Sequence, residues 1–179
     1  MRSDWRTIRT ADFIEFNPRL SIKKGTMATK IAMDKLKPFT KRIPEIELAE
    51  FAGGAKFSNG DTIMARITPC LENGKTAFVD ILENGEIAFG STEFIVLRAK
   101  EGISDPQFIY YFATNPEFRN VAIKSMVGSS GRQRVQQSVL NELLVTVPSL
   151  EEQQLIGTFL AGIDEKIALN NAINDNLAA

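Results

Sequence analysis

Between residues 61 and 98 the chain reads as short apolar, β-branched and aromatic runs, at 61–67, 76–82, 86–89 and 92–98. Asn59-Gly60, Asn73-Gly74 and Asn84-Gly85 punctuate this region. Asn-Gly accepts the positive φ of tight hairpin turns, so the middle of the chain predicts an antiparallel or mixed sheet. The apolar spacing then lengthens. Asp105-Pro106 pairs a capping carboxylate with Pro at the first helical position, and Phe108, Tyr111 and Phe112 share the face that follows. Asn115-Pro116-Glu117 repeats the signal and opens a second helix to about residue 126, with Phe118, Val121, Ala122 and Met126 on one side and Gly128 to end it. A polar loop, Gly128-Ser129-Ser130-Gly131-Arg132-Gln133-Arg134, precedes a strand over 143–147 that Pro148 stops.

The last segment has the clearest pattern. Ser149-Leu150-Glu151-Glu152 is a capping box, in which hydroxyl and carboxylate each satisfy an orphan amide. No Pro follows, so a helix over 151–179 would extend about 43 Å. Ile156, Leu160, Ile163, Ile167, Asn170, Asn174 and Leu177 are spaced 4-3-4-3-4-3, a coiled-coil seam with Asn at two positions. Such a helix is too long to bury its seam on a domain of about 150 residues, and docking on a second helix is expected. The pattern as a whole predicts an α+β chain. Residues 1–149 form a domain of mixed or antiparallel sheet with short helices, and residues 150–179 form a long coiled-coil-type helix.

Composition narrows the chemistry. The 179 residues are 44% hydrophobic and 24% charged, the balance of a soluble globular protein. There is no histidine, which excludes Ser-His-Asp and Cys-His catalysis and His-ligated metals. A single cysteine, Cys70, excludes an internal disulfide and a Cys-rich metal site. No apolar run reaches 18 residues and residues 1–5 show no apolar signal core, so a cytoplasmic location is expected. The net charge of −1 conceals an asymmetry: residues 1–43 carry eleven basic and four acidic side chains (+7), and the remainder carries −8. A second basic island, Arg119, Lys124, Arg132 and Arg134, contains no acid. This asymmetry suggests an electrostatic footprint that the near-neutral total conceals, although charges separated in sequence can mix in space.

Catalytic motifs fail one by one. Gly74-Lys75-Thr76 ends like a phosphate-binding loop, but Pro69 stands where the pattern needs Gly, and Pro has no amide proton to offer. Gly53-Gly54 leads into no dinucleotide fingerprint and reads as a turn. Asn115-Pro116-Glu117-Phe118 is explained by the helix start. Asp164-Glu165-Lys166 lies on a predicted helix face with no upstream acidic partner, and Cys70 has no activating base. The polar loops remain, carrying Arg, Lys, Asn, Gln, Ser and Thr, the side chains that contact phosphates and base edges.

At this point the sequence resembles the target recognition domains of type I restriction-modification specificity subunits. The resemblance lies in the run from Phe57 to Lys75, in Ser91-Thr-Glu-Phe-Ile-Val-Leu97, in Gly128-Ser-Ser-Gly-Arg-Gln-Arg134, and in Val147-Pro-Ser-Leu-Glu-Glu-Gln-Gln-Leu-Ile156 running into Leu160 and Ile163-Asp164. Trp5 also sits where such domains begin. The resemblance implies a non-catalytic subunit that reads one half of a bipartite site in double-stranded DNA. It implies a spacer helix that pairs with an equivalent helix and docks methyltransferase subunits, and restriction subunits join through the complex. S-adenosylmethionine, ATP and magnesium belong to those partners, and no cofactor or metal is expected in this chain. Typical members carry two recognition domains and two helical regions. This chain carries one of each, so either a half-subunit that self-associates through its helix or a fragment of a longer subunit is expected. Within this frame Lys23, Lys24 and Lys30 would neutralise phosphates. The loop around Arg66, Thr68, Asn73 and Lys75 and the loop of Ser129, Ser130, Arg132, Gln133 and Arg134 would approach bases or the adjacent backbone. The competing classes are a stand-alone nuclease or NTPase built around Gly74-Lys75-Thr76, and a helical adaptor that never touches DNA.

Overall fold

A computed structural model describes residues 5–177. Their chain order is β1 (Arg6–Arg9), α1 (Thr10–Phe13), β2 (Ile14–Phe16), β3 (Met27–Ile31), β4 (Glu47–Glu50), β5 (Lys56–Phe57), β6 (Thr62–Ala65), β7 (Thr76–Phe78), β8 (Ala88–Gly90), β9 (Phe94–Ala99), α2 (Pro106–Thr114), α3 (Pro116–Lys124), α4 (Gln137–Glu142), β10 (Leu144–Val147) and α5 (Leu150–Leu177). The class is α+β. Strands β2-β9-β6-β7 form one four-stranded sheet and β4-β3-β8-β5 a second, while β1 pairs with β10 alone. All pairs are antiparallel except β3 with β8.

The apolar runs at β6 and β9 follow from their central place. Alternate side chains of a strand point to opposite faces. Met64, Ile95 and Leu97 enter a core with Phe13, Ile109 and Phe118, whereas Ile63, Phe94 and Val96 enter a second core with Ile31, Phe57 and Leu82. Both faces are covered, so neither strand shows the polar alternation of a half-exposed sheet. Helix α2 lies over β6, β7 and β9 on the first face.

The three Asn-Gly turns all adopt positive φ at glycine (Gly60, Gly74, Gly85), as expected. Only the middle one joins an antiparallel pair, β6 with β7, and it does so through ten residues rather than a two-residue hairpin. The other two carry the chain from one sheet to the other. A turn signal dictates local direction and leaves the choice of pairing partner open. The helix starts hold as read. Asp105 accepts from the Phe108 amide at 2.9 Å and Asn115 from the Glu117 amide at 2.8 Å. The capping box forms only half: the Glu152 amide donates to Ser149 Oγ at 3.3 Å, but the Glu152 carboxylate accepts the Trp5 indole N–H at 3.1 Å.

Helix α5 has 28 residues and its first half docks on the domain. Gln153 is fully buried. Its Oε1 accepts the Asp105 amide at 3.0 Å, and its Nε2 donates to the carbonyls of Ile103 at 3.2 Å and Pro148 at 3.0 Å. Tyr111 donates to Asp164 Oδ2 at 2.6 Å. From Glu165 through Asn176 every side chain except Ala168 is exposed. Among the described residues no helix is long and apolar enough to cross a membrane.

Gly157 permits the α5–α2 contact. A Cβ there would lie 2.8 Å from Asp105 Oδ1, 2.9 Å from Gln107 Cβ and 3.0 Å from the Phe108 nitrogen, whereas a Cβ on Gly162 would meet nothing within 4 Å. Gly157→Ala is therefore expected to lose about 1–3 kcal/mol by overpacking. Gly162→Ala is expected to gain up to about 1 kcal/mol of helix propensity. Thermal unfolding of the two variants side by side checks the opposite signs.

Candidate nucleic-acid interface

The chain leaving β6 and the chain entering α4 are zipped together. The Val135 amide donates to the Arg66 carbonyl at 2.8 Å, and Arg66 Nη2 donates to the Val135 carbonyl at 3.0 Å. The Thr68 amide donates to the Gln133 carbonyl at 3.0 Å, and the Gln133 amide returns to Thr68 Oγ1 at 3.1 Å. Two loops predicted separately, around residues 66–68 and 129–134, thus become one structure. Val127 and Arg134 exchange backbone hydrogen bonds at 3.0 and 2.8 Å, so residues 128–133 form the tip of a hairpin. Ser129, Ser130 and Arg132 are exposed on that tip. Arg132 has no acid partner among the described residues.

Arg134 differs from its neighbour. Its Nε lies 2.9 Å from both oxygens of Glu93, and its Nη2 lies 2.6 Å from Oε1. The guanidinium hydrogen bond holds the Glu93 carboxyl below the usual carboxylate range, and the same bond raises Arg134. This fork clamps the base of the hairpin to the turn before β9.

Beside the clamp, at the junction of the two four-stranded sheets, lies a cleft of about 480 Å³. Asn17, Arg19, Lys56, Arg66, Thr92 and Phe94 are among its lining, which among the described residues contains three cations and no carboxylate. Arg66 Nε is buried without a hydrogen-bond partner among the described residues. Lys56 also lies 5.6 Å from the Phe51 ring centroid. The Phe51 backbone in turn exchanges hydrogen bonds with the 23–26 turn, at Gly25 and Thr26. Exposed Lys23 and Lys24 are therefore joined through Phe51 and Lys56 to the cleft, and the cleft through Arg66 to the hairpin. Sequence reasoning missed Arg19 and Lys56. The Asn17-Pro18 and Gly53-Gly54 turns beside them were the available signal, but turn residues alone do not reveal which loops meet.

Other expected contacts stand apart. Lys30 pairs with Glu47 at 2.7 Å, across the β3–β4 pair. Lys75 Nζ donates to the Met33 carbonyl at 2.9 Å, a link from the β6–β7 loop to the 3-10 turn at Met33–Lys35. Asn73 is exposed in the turn between β6 and β7. The basic N-terminal segment is partly neutralised in space, since Lys35 pairs with Glu45 and Arg9 with Asp12 and Glu142. Lys41 is withdrawn among Phe78, Tyr110 and Tyr111, 5.3, 5.5 and 4.9 Å from their ring centroids, and desolvation lowers its pKa. Burial, with Asp164 as acceptor, raises the Tyr111 hydroxyl. Among the described residues no group of three or more His, Cys, Asp or Glu could hold a metal ion. Cys70 is free and packs partly buried against the first core.

The expected helix seam is divided. Ile156 and Leu160 line an apolar groove with Phe108, Phe112 and Val121 of the chain's own domain. They face inward because Gln153 and Gly157 set the helix on α2. Ile163 and Ile167 are 42% and 53% exposed, and Leu155, Phe159, Leu169 and Ile173 are exposed as well. Asn170 and Asn174 are exposed, and the Leu177 side chain lies outside the described residues.

Residues 2–179 match the family model described as type I restriction modification DNA specificity domain. The specificity subunit of type I restriction enzyme EcoAI from Escherichia coli is 29% identical over 158 residues, covering 86% of this chain and 26% of that protein. The EcoEI specificity subunit, also from Escherichia coli, is 32% identical over 108 residues, covering 60% of this chain and 18% of that protein. The HsdS subunit from Thermoanaerobacter tengcongensis superposes with a TM-score of 0.70 at 20% identity, over 97% of this chain and 45% of that one. A chain from a structure of type I R-M system assembly and conformational transition superposes at 0.73 and 18% identity, over 99% and 46%. The chain thus spans about a quarter or less of these curated relatives and under half of the solved chains.

Proposed function

We propose, from the premise that this chain belongs to the family of type I restriction modification DNA specificity domains, that it reads one half of a bipartite DNA target and performs no chemistry itself. Residues 1–149 act as the recognition domain and residues 150–179 as the spacer helix. Methyl transfer from S-adenosylmethionine and ATP- and magnesium-dependent cleavage belong to the methyltransferase and restriction subunits that assemble with it. The carrying observation is the hairpin tip: Ser129, Ser130 and Arg132 are exposed, Arg132 forms no ion pair among the described residues, and the base is held by the 66–68 ladder and the Glu93–Arg134 clamp. A rigid base bearing unpaired polar side chains suits the reading of base edges, where a good bidentate pair discriminates by about 1–3 kcal/mol. The exposed stripe through Ile163, Ile167 and Ile173 supports helix pairing, with a second copy or with the other half of a longer subunit.

The test maps methylated sites in cells carrying the intact system and then measures binding of the assembled methyltransferase to that site and to a scrambled duplex. Ser129→Ala/Ser130→Ala/Arg132→Ala is expected to lose about 10–100-fold on the cognate duplex and little on the scrambled one. Unchanged cognate binding would overturn the tip assignment. Absence of salt-dependent DNA binding by the native complex would overturn DNA recognition itself.

A further inference from the structure

We propose that the cleft between the two four-stranded sheets is a phosphate site, in which Arg66, Arg19 and Lys56 together hold one phosphodiester of the DNA backbone. This rests on the DNA-reading function above and assigns Arg66 to the backbone rather than to a base. Three cationic residues from three separate segments, at positions 19, 56 and 66, line one cleft, and no acid is among its described lining residues. The acid next to Arg66 in the fold is Glu93, whose backbone carbonyl accepts the Arg66 amide at 2.9 Å. Its carboxylate is already engaged by Arg134.

Arg66, whose charge contributes only a minor part of the pull on the Glu93 carboxylate, sits in a partly desolvated place, and its Nε has no acceptor among the described residues. The guanidinium carries its charge where water is partly excluded, and an anion held in the cleft offsets that charge. The same geometry argues against base readout. Bidentate pairing with guanine needs the guanidinium fork free and projecting, but Nη2 is committed to the Val135 carbonyl at 3.0 Å and Nε is buried. A phosphate oxygen needs only converging positive donors and tolerates Lys as readily as Arg. The cleft adjoins the Arg66–Val135 end of the ladder that raises the hairpin tip, so a phosphate held here would set the register in which Arg132 meets the bases.

The experiment measures binding of the assembled methyltransferase to cognate and scrambled duplexes from low to moderate salt. The variants are Arg19→Ala/Lys56→Ala, which leaves the ladder intact, and Arg66→Gln. Each is expected to weaken both duplexes by a similar factor, about 5–30-fold near 0.1 M salt, and to flatten the slope of log K against log salt by about one. The double variant serves as the decisive arm if Arg66→Gln unfolds. Loss confined to the cognate duplex would reassign the cleft to base readout and overturn the proposal. So would unchanged affinity and slope in the double variant while the native complex binds DNA, and that outcome leaves the recognition function standing. A parallel arm titrates inorganic phosphate and follows thermal stability. Stabilisation lost in the double variant, with DNA binding intact, would make the cleft a free-anion site and also overturn the proposal.

Discussion

Asp61→Ala is expected to destabilise the fold by about 3–5 kcal/mol, the range for breaking a buried ion pair by removing one partner. Asp61 is 1% exposed, at the entry to β6. Its Oδ1 accepts Arg98 Nε at 2.7 Å, and its Oδ2 accepts Arg98 Nη2 at 2.7 Å and the Ser58 amide at 2.8 Å. Arg98 also reaches Ser58 Oγ at 2.8 Å. The carboxylate therefore joins the turn before β6 to β9, the two central strands of one sheet. Its bond to Arg98 raises the guanidinium above its ordinary value. Removing Asp61 leaves a half-buried cation and an unpaired amide. At roughly 2–4 °C per kcal/mol for a chain of this size, the unfolding midpoint should fall by about 6–20 °C. Asp61→Leu/Arg98→Met, which removes both charges, should lose less than the single change. A double variant less stable than Asp61→Ala would show that the pair is not the source of the loss.

Gly54→Ala is the second large effect. Gly54 has φ +120, which L side chains rarely adopt, and a Cβ there would lie 2.0 Å from the Gly90 carbonyl oxygen and 3.2 Å from its carbon. Both obstructing atoms are backbone, in strand β8 beside β3. Neither can rotate away as a side chain would. Strain of about 1–3 kcal/mol and overpacking of a similar size should together remove about 3–5 kcal/mol. Gly53→Ala shares the unfavourable φ but meets nothing within 4 Å, so it should carry only the strain. Gly54 also lines the cleft. Its variant, where folded, should bind both cognate and scrambled DNA more weakly. Chemical denaturation of the pair, read as midpoint shifts at constant slope, separates strain from collision. Equal losses at both positions would refute the close approach to Gly90.

Much of the fold was legible because it is written in local chemistry. Asp105-Pro106 and Asn115-Pro116 start helices where expected, since a cap needs only a side chain three residues or fewer from the amide it satisfies. The candidate site was legible in part. Both polar loops were seen, and the hairpin tip with Ser129, Ser130 and Arg132 keeps its exposed chemistry. The cleft was not visible. Arg19, Lys56 and Arg66 are far apart in sequence, and nothing local to any of them says that three loops meet. The charge split was legible but partly misleading, because Lys30 and Lys35 find Glu47 and Glu45 just past the boundary drawn at residue 43.

By itself the sequence determined the main strands and helices from residue 61 onward, the caps of α2 and α3, the lack of imidazole chemistry and the long terminal helix. Each depends on residue type or on spacing within one or two turns. The short elements before residue 61, and α4, were not legible in it. Tertiary structure alone decided which strands pair, which cations remain unpaired, and which face of α5 is free. Ile156 and Leu160 have the same heptad spacing as Ile163 and Ile167, yet the first two line a groove against the chain's own domain and the second two are exposed. The physical reason is contact. Burial and charge compensation are properties of neighbours in space, and Gln153 and Gly157 choose those neighbours by seating the helix on α2.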